Sequence, residues 1–228
     1  MPNRILTVLF AITSLYGVMA SEPSSKNLVS NPHFDQNLEG WQASFPEANE
    51  TKYARNSEWI TITTVGDDKS KISDDDPADP QDKIVTFTLS KQVAASEGVK
   101  LVSDLMPVDP TYSYRFGADV QTHGPKPIIF LEGYQVDSER KESGSDQIPG
   151  YVRVWRATIH VKEGKGLWQR ATRVINFPKQ ERFRPAFIRI KLYAYHPAGE
   201  VSFDNVFLCQ EKTSSQHDAD AKRSVSGE

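Results

Sequence analysis

From about residue 59 onward, bulky and polar residues alternate with a period of two through nearly every apolar segment, and this pattern constrains the fold most. Trp59-Ile60-Thr61-Ile62-Thr63-Thr64-Val65 sets large side chains against hydroxyls, as a half-buried strand does. The same period runs through Lys83 to Val93, Val99 to Val108, Thr111 to Gln121, Ile128 to Val136, Tyr151 to Val161, Trp168 to Phe177, Phe187 to Tyr195 and Val201 to Cys209. With short strands near Leu28 and Trp41, about eleven segments qualify. β-Branched and aromatic residues fill them, and helix-forming runs are nearly absent. Many short strands separated by turn signals indicate an all-β sandwich, barrel or jelly roll.

The alternation also sorts the two faces of each strand. Tyr112, Tyr114, Phe116, Ala118 and Val120 form a continuous apolar set that should face a core, with Arg115, Asp119 and Gln121 opposite. Ile188, Ile190, Leu192 and Ala194 do the same, leaving Phe187, Arg189, Lys191, Tyr193 and Tyr195 on an outer face. Trp41, Trp59 and Trp168 are assigned to the core or its edges. Gly66 to Asp82 is long, acidic and proline-bearing, and Asp137 to Gly150 is charged, so both read as surface loops. The tail over residues 210–228 holds one large aliphatic group, Val225, and cannot offset its ordering entropy by burial.

Residues 1–20 have the form of a secretory signal peptide. Arg4 supplies the positive start, Ile5 to Met19 the apolar run, and Val18-Met19-Ala20 a small-residue cleavage site. The mature protein is therefore expected to be secreted, to the extracellular space or a periplasm, with no membrane span left after cleavage. Loss of Arg4 leaves 26 basic against 30 acidic groups. Such a balance gives no broad electrostatic attraction to nucleic acid. Cys209 is the sole cysteine, so no internal disulfide is available, and its place at the end of an apolar strand suggests a buried thiol. Asn49-Glu50-Thr51 matches a glycosylation sequon.

The two ends of residues 21–209 carry a resemblance. Asn27-Leu28-Val29-Ser30-Asn31-Pro32-His33-Phe34-Asp35, followed by Leu38-Glu39-Gly40-Trp41, is similar to the opening of carbohydrate-binding modules of the family 4, 9 and 22 type. Gly166-Leu167-Trp168-Gln169-Arg170 and the closing Val201-Ser202-Phe203-Asp204-Asn205-Val206-Phe207-Leu208 resemble their later strands. So does Pro110-Thr111-Tyr112-Ser113-Tyr114-Arg115-Phe116, although Thr111 stands where those modules carry Gly. The resemblance implies a two-sheet antiparallel β-sandwich, a galactose-binding-like jelly roll whose first and last segments lie together. It also implies a structural calcium ion with Asp35 and Asp204 as ligands, since oxygen donors suit a hard cation. The alternative is that both acids cap turns.

No catalytic motif stands out. The chain lacks G-x-S-x-G, H-E-x-x-H, C-x-x-C and a glycine-rich phosphate loop, and its five histidines are scattered. Asp119 and Glu132 on neighbouring strands could approach the separation of about 5–10 Å that glycoside hydrolysis needs, but a catalyst is not expected. Glycan binding asks for flat aromatics and planar polar groups in a groove. The expected site has Trp155 and Tyr134 as stacking platforms, with Tyr193 beside them and Arg115, Gln121, Arg153 and Arg189 as donors. The cations would suit an acidic or sulfated polysaccharide. The alternative is a solvated face, with these groups paired across strands and Trp155 turned into the core, on an adhesion or interaction module.

Overall fold

The computed structural model describes residues 26–43, 56–64, 83–139 and 148–211. The leader-like residues 1–20, the sequon, the acidic loop Gly66 to Asp82, residues 140–147 of the charged loop and the tail beyond Glu211 lie outside them.

Eleven strands form among the described residues, all paired antiparallel. They are β1 (Trp41–Ala43), β2 (Ile60–Thr64), β3 (Lys83–Leu89), β4 (Val99–Ser103), β5 (Met106–Pro107), β6 (Tyr114–His123), β7 (Lys126–Val136), β8 (Tyr151–His160), β9 (Gln169–Ile175), β10 (Phe187–Tyr195) and β11 (Gly199–Gln210). One sheet runs β1-β4-β10-β7-β8 with β5 also beside β10, and the other runs β2-β3-β11-β6-β9. The fold is thus a two-sheet antiparallel sandwich, as the strand pattern and the terminal motifs led us to expect.

The inner faces follow the alternation. Phe116, Ala118 and Val120 of β6 and Ile188, Ile190, Leu192 and Ala194 of β10 are all fully buried, and they meet Phe87 and Phe203 from the five-stranded sheet in one core. Trp41 and Trp168 are buried and Trp59 packs against the core. Some strand expectations change. The run from Lys83 stops at Leu89, because the Ser90 hydroxyl accepts from the Val93 N–H and caps a short helix, α1 (Lys91–Ala95). The run from Val99 breaks after Ser103 into β4 and β5. Leu28 lies in no strand; its neighbour Asn27 makes only an isolated bridge to Cys209. Cys209 itself is half-buried beside Arg115 on an outer face, not in the core.

The terminal motifs are side-chain clamps between the two ends of the fold. The Asn27 amide donates to the Val206 carbonyl (3.0 Å) and accepts from the Leu208 N–H (3.0 Å), while the Val206 N–H donates to the Pro32 carbonyl (3.0 Å). Asn31 sits at φ +47°, a left-handed conformation that asparagine tolerates. Its amide donates to the Asn37 and Glu39 carbonyls and accepts from the Gln36 N–H, holding the turn closed. Under that turn the buried Phe34 ring meets Trp41 at 5.3 Å. Thr111 also finds its reason: its N–H and hydroxyl both donate to Asp109 (2.9 and 2.7 Å), a side-chain turn that does the work of a glycine bend.

Candidate functional site

The expected site residues divide between the two sheets. Tyr134 (β7), Arg153 (β8), and Arg189 and Tyr193 (β10) lie on the outer face of the six-stranded sheet. Arg115 and Gln121 belong to β6, on the outer face of the other sheet. There Arg115 pairs with Glu211 (2.6 Å) and the Gln121 amide donates to the Gly166 carbonyl (2.9 Å). They cannot share a groove with the first group. The proposed carboxylate pair separates for the same reason, since Asp119 is on β6 and Glu132 on β7.

Trp155 is displaced by a β-bulge. Gly133 is opposite Trp155 while the next residue, Tyr134, is opposite Arg153, so Val154 is an extra residue on β8. An inserted residue reverses the alternation. Arg153 therefore shares the outer face with Tyr134, whereas Trp155 turns to the core side and meets Phe177 edge-on at 5.1 Å. Parity along the strand cannot reveal this, because the signal that fixes a bulge is the partner strand. Tyr134 is corrected too. It is only 2% exposed, so its ring is not a stacking platform.

What the outer face holds instead is a buried charge cluster centred on Glu132. Its carboxylate accepts from the Tyr134 hydroxyl (2.8 Å), Arg153 Nη1 (2.8 Å), Arg189 Nε (3.1 Å) and Lys191 Nζ (3.1 Å). Arg189 also lies over the Tyr134 ring at 5.1 Å. Arg189 and Lys191 are buried, and Arg153, 43% exposed, is the open side of the cluster. Burial alone would push the Glu132 carboxyl up. Lys191, Arg189, the Tyr134 hydroxyl and Arg153 outweigh it and hold the group below the ordinary carboxylate range. Burial and the neighbouring Glu132 charge push the Tyr134 phenol far up, so it stays protonated as a donor. A depressed carboxyl stabilises the fold above its unfolded pKa, and that contribution disappears as pH falls through the folded value. Urea midpoints should therefore drop on acidification below the ordinary carboxyl value of 4.5, and by less in a Glu132→Gln variant, which has no proton to take up.

Around this cluster runs a strip of half-buried rings, in which the expected Tyr193 is joined by Phe130 and Tyr195. Tyr193 and Tyr195 stack with centroids 5.4 Å apart and planes 5° from parallel. Phe130 lies 6.0 Å from Tyr193, with Arg156 5.3 Å and Lys191 5.8 Å from its ring centroid. Phe130 shares its parity with Glu132 and Tyr195 shares that of Tyr193, so the alternation already pointed to both. Burial pushes the Tyr193 phenol up, with Tyr195 and Glu97 adding to the effect. The result is a row of half-buried rings on one sheet face, with Arg156 and Lys191 over the Phe130 ring.

At the expected calcium position, Asp204 is buried and both its oxygens face Asn205 donors, the N–H at 2.7 Å and the side-chain amide at 3.3 Å. That same amide also donates to Asp119 (2.8 Å), and His33 Nδ1 stands 3.8 Å from Asp204. Asp35 is exposed, and its backbone carbonyl accepts from Lys83 (2.8 Å). Among the described residues no three His, Cys, Asp or Glu side chains gather as metal ligands.

No family model matches the sequence, and no curated protein does. Solved structures do resemble it. A Stig cyclase, FisC from Fischerella sp. TAU, aligns with TM-score 0.54 and 13% identity over 84% of this chain and 100% of its own. The enzymatically active domain of tailspike protein 4 of bacteriophage CBA120 aligns with TM-score 0.54 and 12% identity over 81% of this chain, which spans 21% of that one. A module named TmCBM61, solved with β-1,4-galactotriose, aligns with TM-score 0.46 and 16% identity over 82% of this chain and 100% of its own. At these identities the likeness shows the sandwich fold, and fold does not fix function.

Proposed function

We propose that this is a secreted, non-catalytic glycan-binding protein that takes a polysaccharide or cell-surface glycan along the outer face of the six-stranded sheet. The observation that carries the reading is the strip of Phe130, Tyr193 and Tyr195 bordered by Arg153 and Arg156. Sugar rings present flat C–H faces to such rings and hydroxyls to such donors. The Glu132 cluster adjoins the strip on the same face, where four side chains from three strands are fixed on one carboxylate. The terminal motifs and the leader-like residues 1–20 agree with secretion and binding.

Affinity electrophoresis through gels containing soluble polysaccharides tests this reading. The wild-type protein should be retarded by at least one of them. Tyr193→Ala should weaken the retardation by about tenfold or more, the scale expected when an aromatic anchor is truncated. Release of reducing ends from the retarding polysaccharide would overturn the non-catalytic reading.

A further inference from the structure

β8 and β9 are the free edges of their two sheets, and they meet across an opening in the side of the sandwich. The opening is a cleft of about 370 Å³. Its walls carry Trp155, Arg156 and Thr158 from β8, Arg173 from β9 and Asn176 just beyond. That volume lies at the small end of the range of about 300–1,000 Å³ for small-molecule sites, and suits one substituted sugar rather than a length of polymer.

The chemistry of the walls is specific. Arg173 belongs to the five-stranded sheet, yet its Nη1 donates to the Thr158 carbonyl on the other sheet's edge (2.8 Å). This contact caps an edge carbonyl and commits one of the five N–H donors of the guanidinium. Arg156 is held against the Phe130 ring. Among the described residues neither arginine has a carboxylate partner, whereas Arg115, Arg153, Arg170 and Arg189 each face one. The indole of Trp155, steadied edge-on by Phe177, adds a flat apolar wall. Thr158 and Asn176 add neutral hydrogen-bonding groups. Two arginines without acids select an anion, and the planar forks favour carboxylate or sulfate oxygens. The indole and the amide select a ring carrying hydroxyls.

We propose that this cleft binds a sugar residue bearing a carboxylate or sulfate, at the end or on a branch of an acidic glycan. Its place around the β8 edge makes it a second site, reached from the aromatic strip through Arg156. The assignment rests on the glycan-binding reading for the nature of the ring, and on the arginines for its charge.

The test follows the Trp155 indole N–H resonance, assigned by its disappearance in Trp155→Phe. The protein is titrated in parallel with an oligogalacturonate, a sulfated oligosaccharide and a neutral oligosaccharide of equal length. The resonance should move with one of the two acidic probes and not with the neutral one, and the one that moves it tells uronate from sulfate. Arg156→Gln and Arg173→Gln should each weaken that binding about tenfold, the scale of a charge-assisted hydrogen bond. Both arginines are exposed, and the amide spectrum of each variant checks that the fold is intact. An unmoved Trp155 resonance with both acidic probes overturns the proposal. So does acidic binding that survives both arginine variants but is lost in Tyr193→Ala, a result that leaves the sheet-face reading standing. Acidic binding lost in the arginine variants and kept in Tyr193→Ala supports the cleft and counts against the sheet face.

Discussion

Glu132→Gln is expected to cost about 3–5 kcal/mol of folding stability, the penalty for removing one partner from a buried ion pair. The carboxylate is fully buried and its oxygens take donors from Tyr134, Arg153, Arg189 and Lys191. Glutamine keeps the shape but removes the charge that holds Arg189 and Lys191 in a buried position, and its amide turns an N–H₂ toward donors. Arg153→Gln is the informative comparison. Arg153 is 43% exposed, so its contact is screened by solvent and its loss should cost about 1 kcal/mol or less. Urea unfolding of the two variants measures both. Equal effects would mean that the cluster is not organised around Glu132.

Phe34→Ala is expected to cost a similar amount, about 3–5 kcal/mol, from the cavity left by a buried ring. Phe34 is fully buried against Trp41 and lies at φ +59° in the turn that Asn31 holds closed. Two residues before it, the Pro32 carbonyl accepts from Val206 in the last strand. Loss of the ring should therefore loosen the contact between the two ends of the fold as well as the core. Amide exchange should show lost protection at Val206 and Leu208, beyond what a local cavity would produce. Unchanged protection there would show that the clamps of Asn27 hold the ends without help from Phe34.

The sheet faces were legible in the sequence because alternation is a backbone property. Tyr114, Phe116, Ala118 and Val120 face inward because successive strand residues must point to opposite sides. Asn31, Phe34 and Trp41 were legible as a motif, and the structure supplies their physical roles as turn clamp and packed ring pair. What was not legible depended on partners. Arg153 and Trp155 look equivalent along β8, and only the bulge at Val154 against β7 places them on opposite sides. Tyr134 looks like an exposed platform until Glu132 and Arg189 close around it. Arg115 and Gln121 carry suitable donors, but strand order assigns them to the other sheet, and no pattern within one strand reports strand order.

In the proposed complex, sugar lies along the outer face of the six-stranded sheet. Amide shift mapping tests it most directly, with the protein titrated by a fragment of the polysaccharide that retards it in gels. The largest shifts are expected at Phe130, Tyr193 and Tyr195 on β7 and β10, with small ones across β6 and β11. Shifts confined to the five-stranded sheet, or none with any fragment, would contradict it.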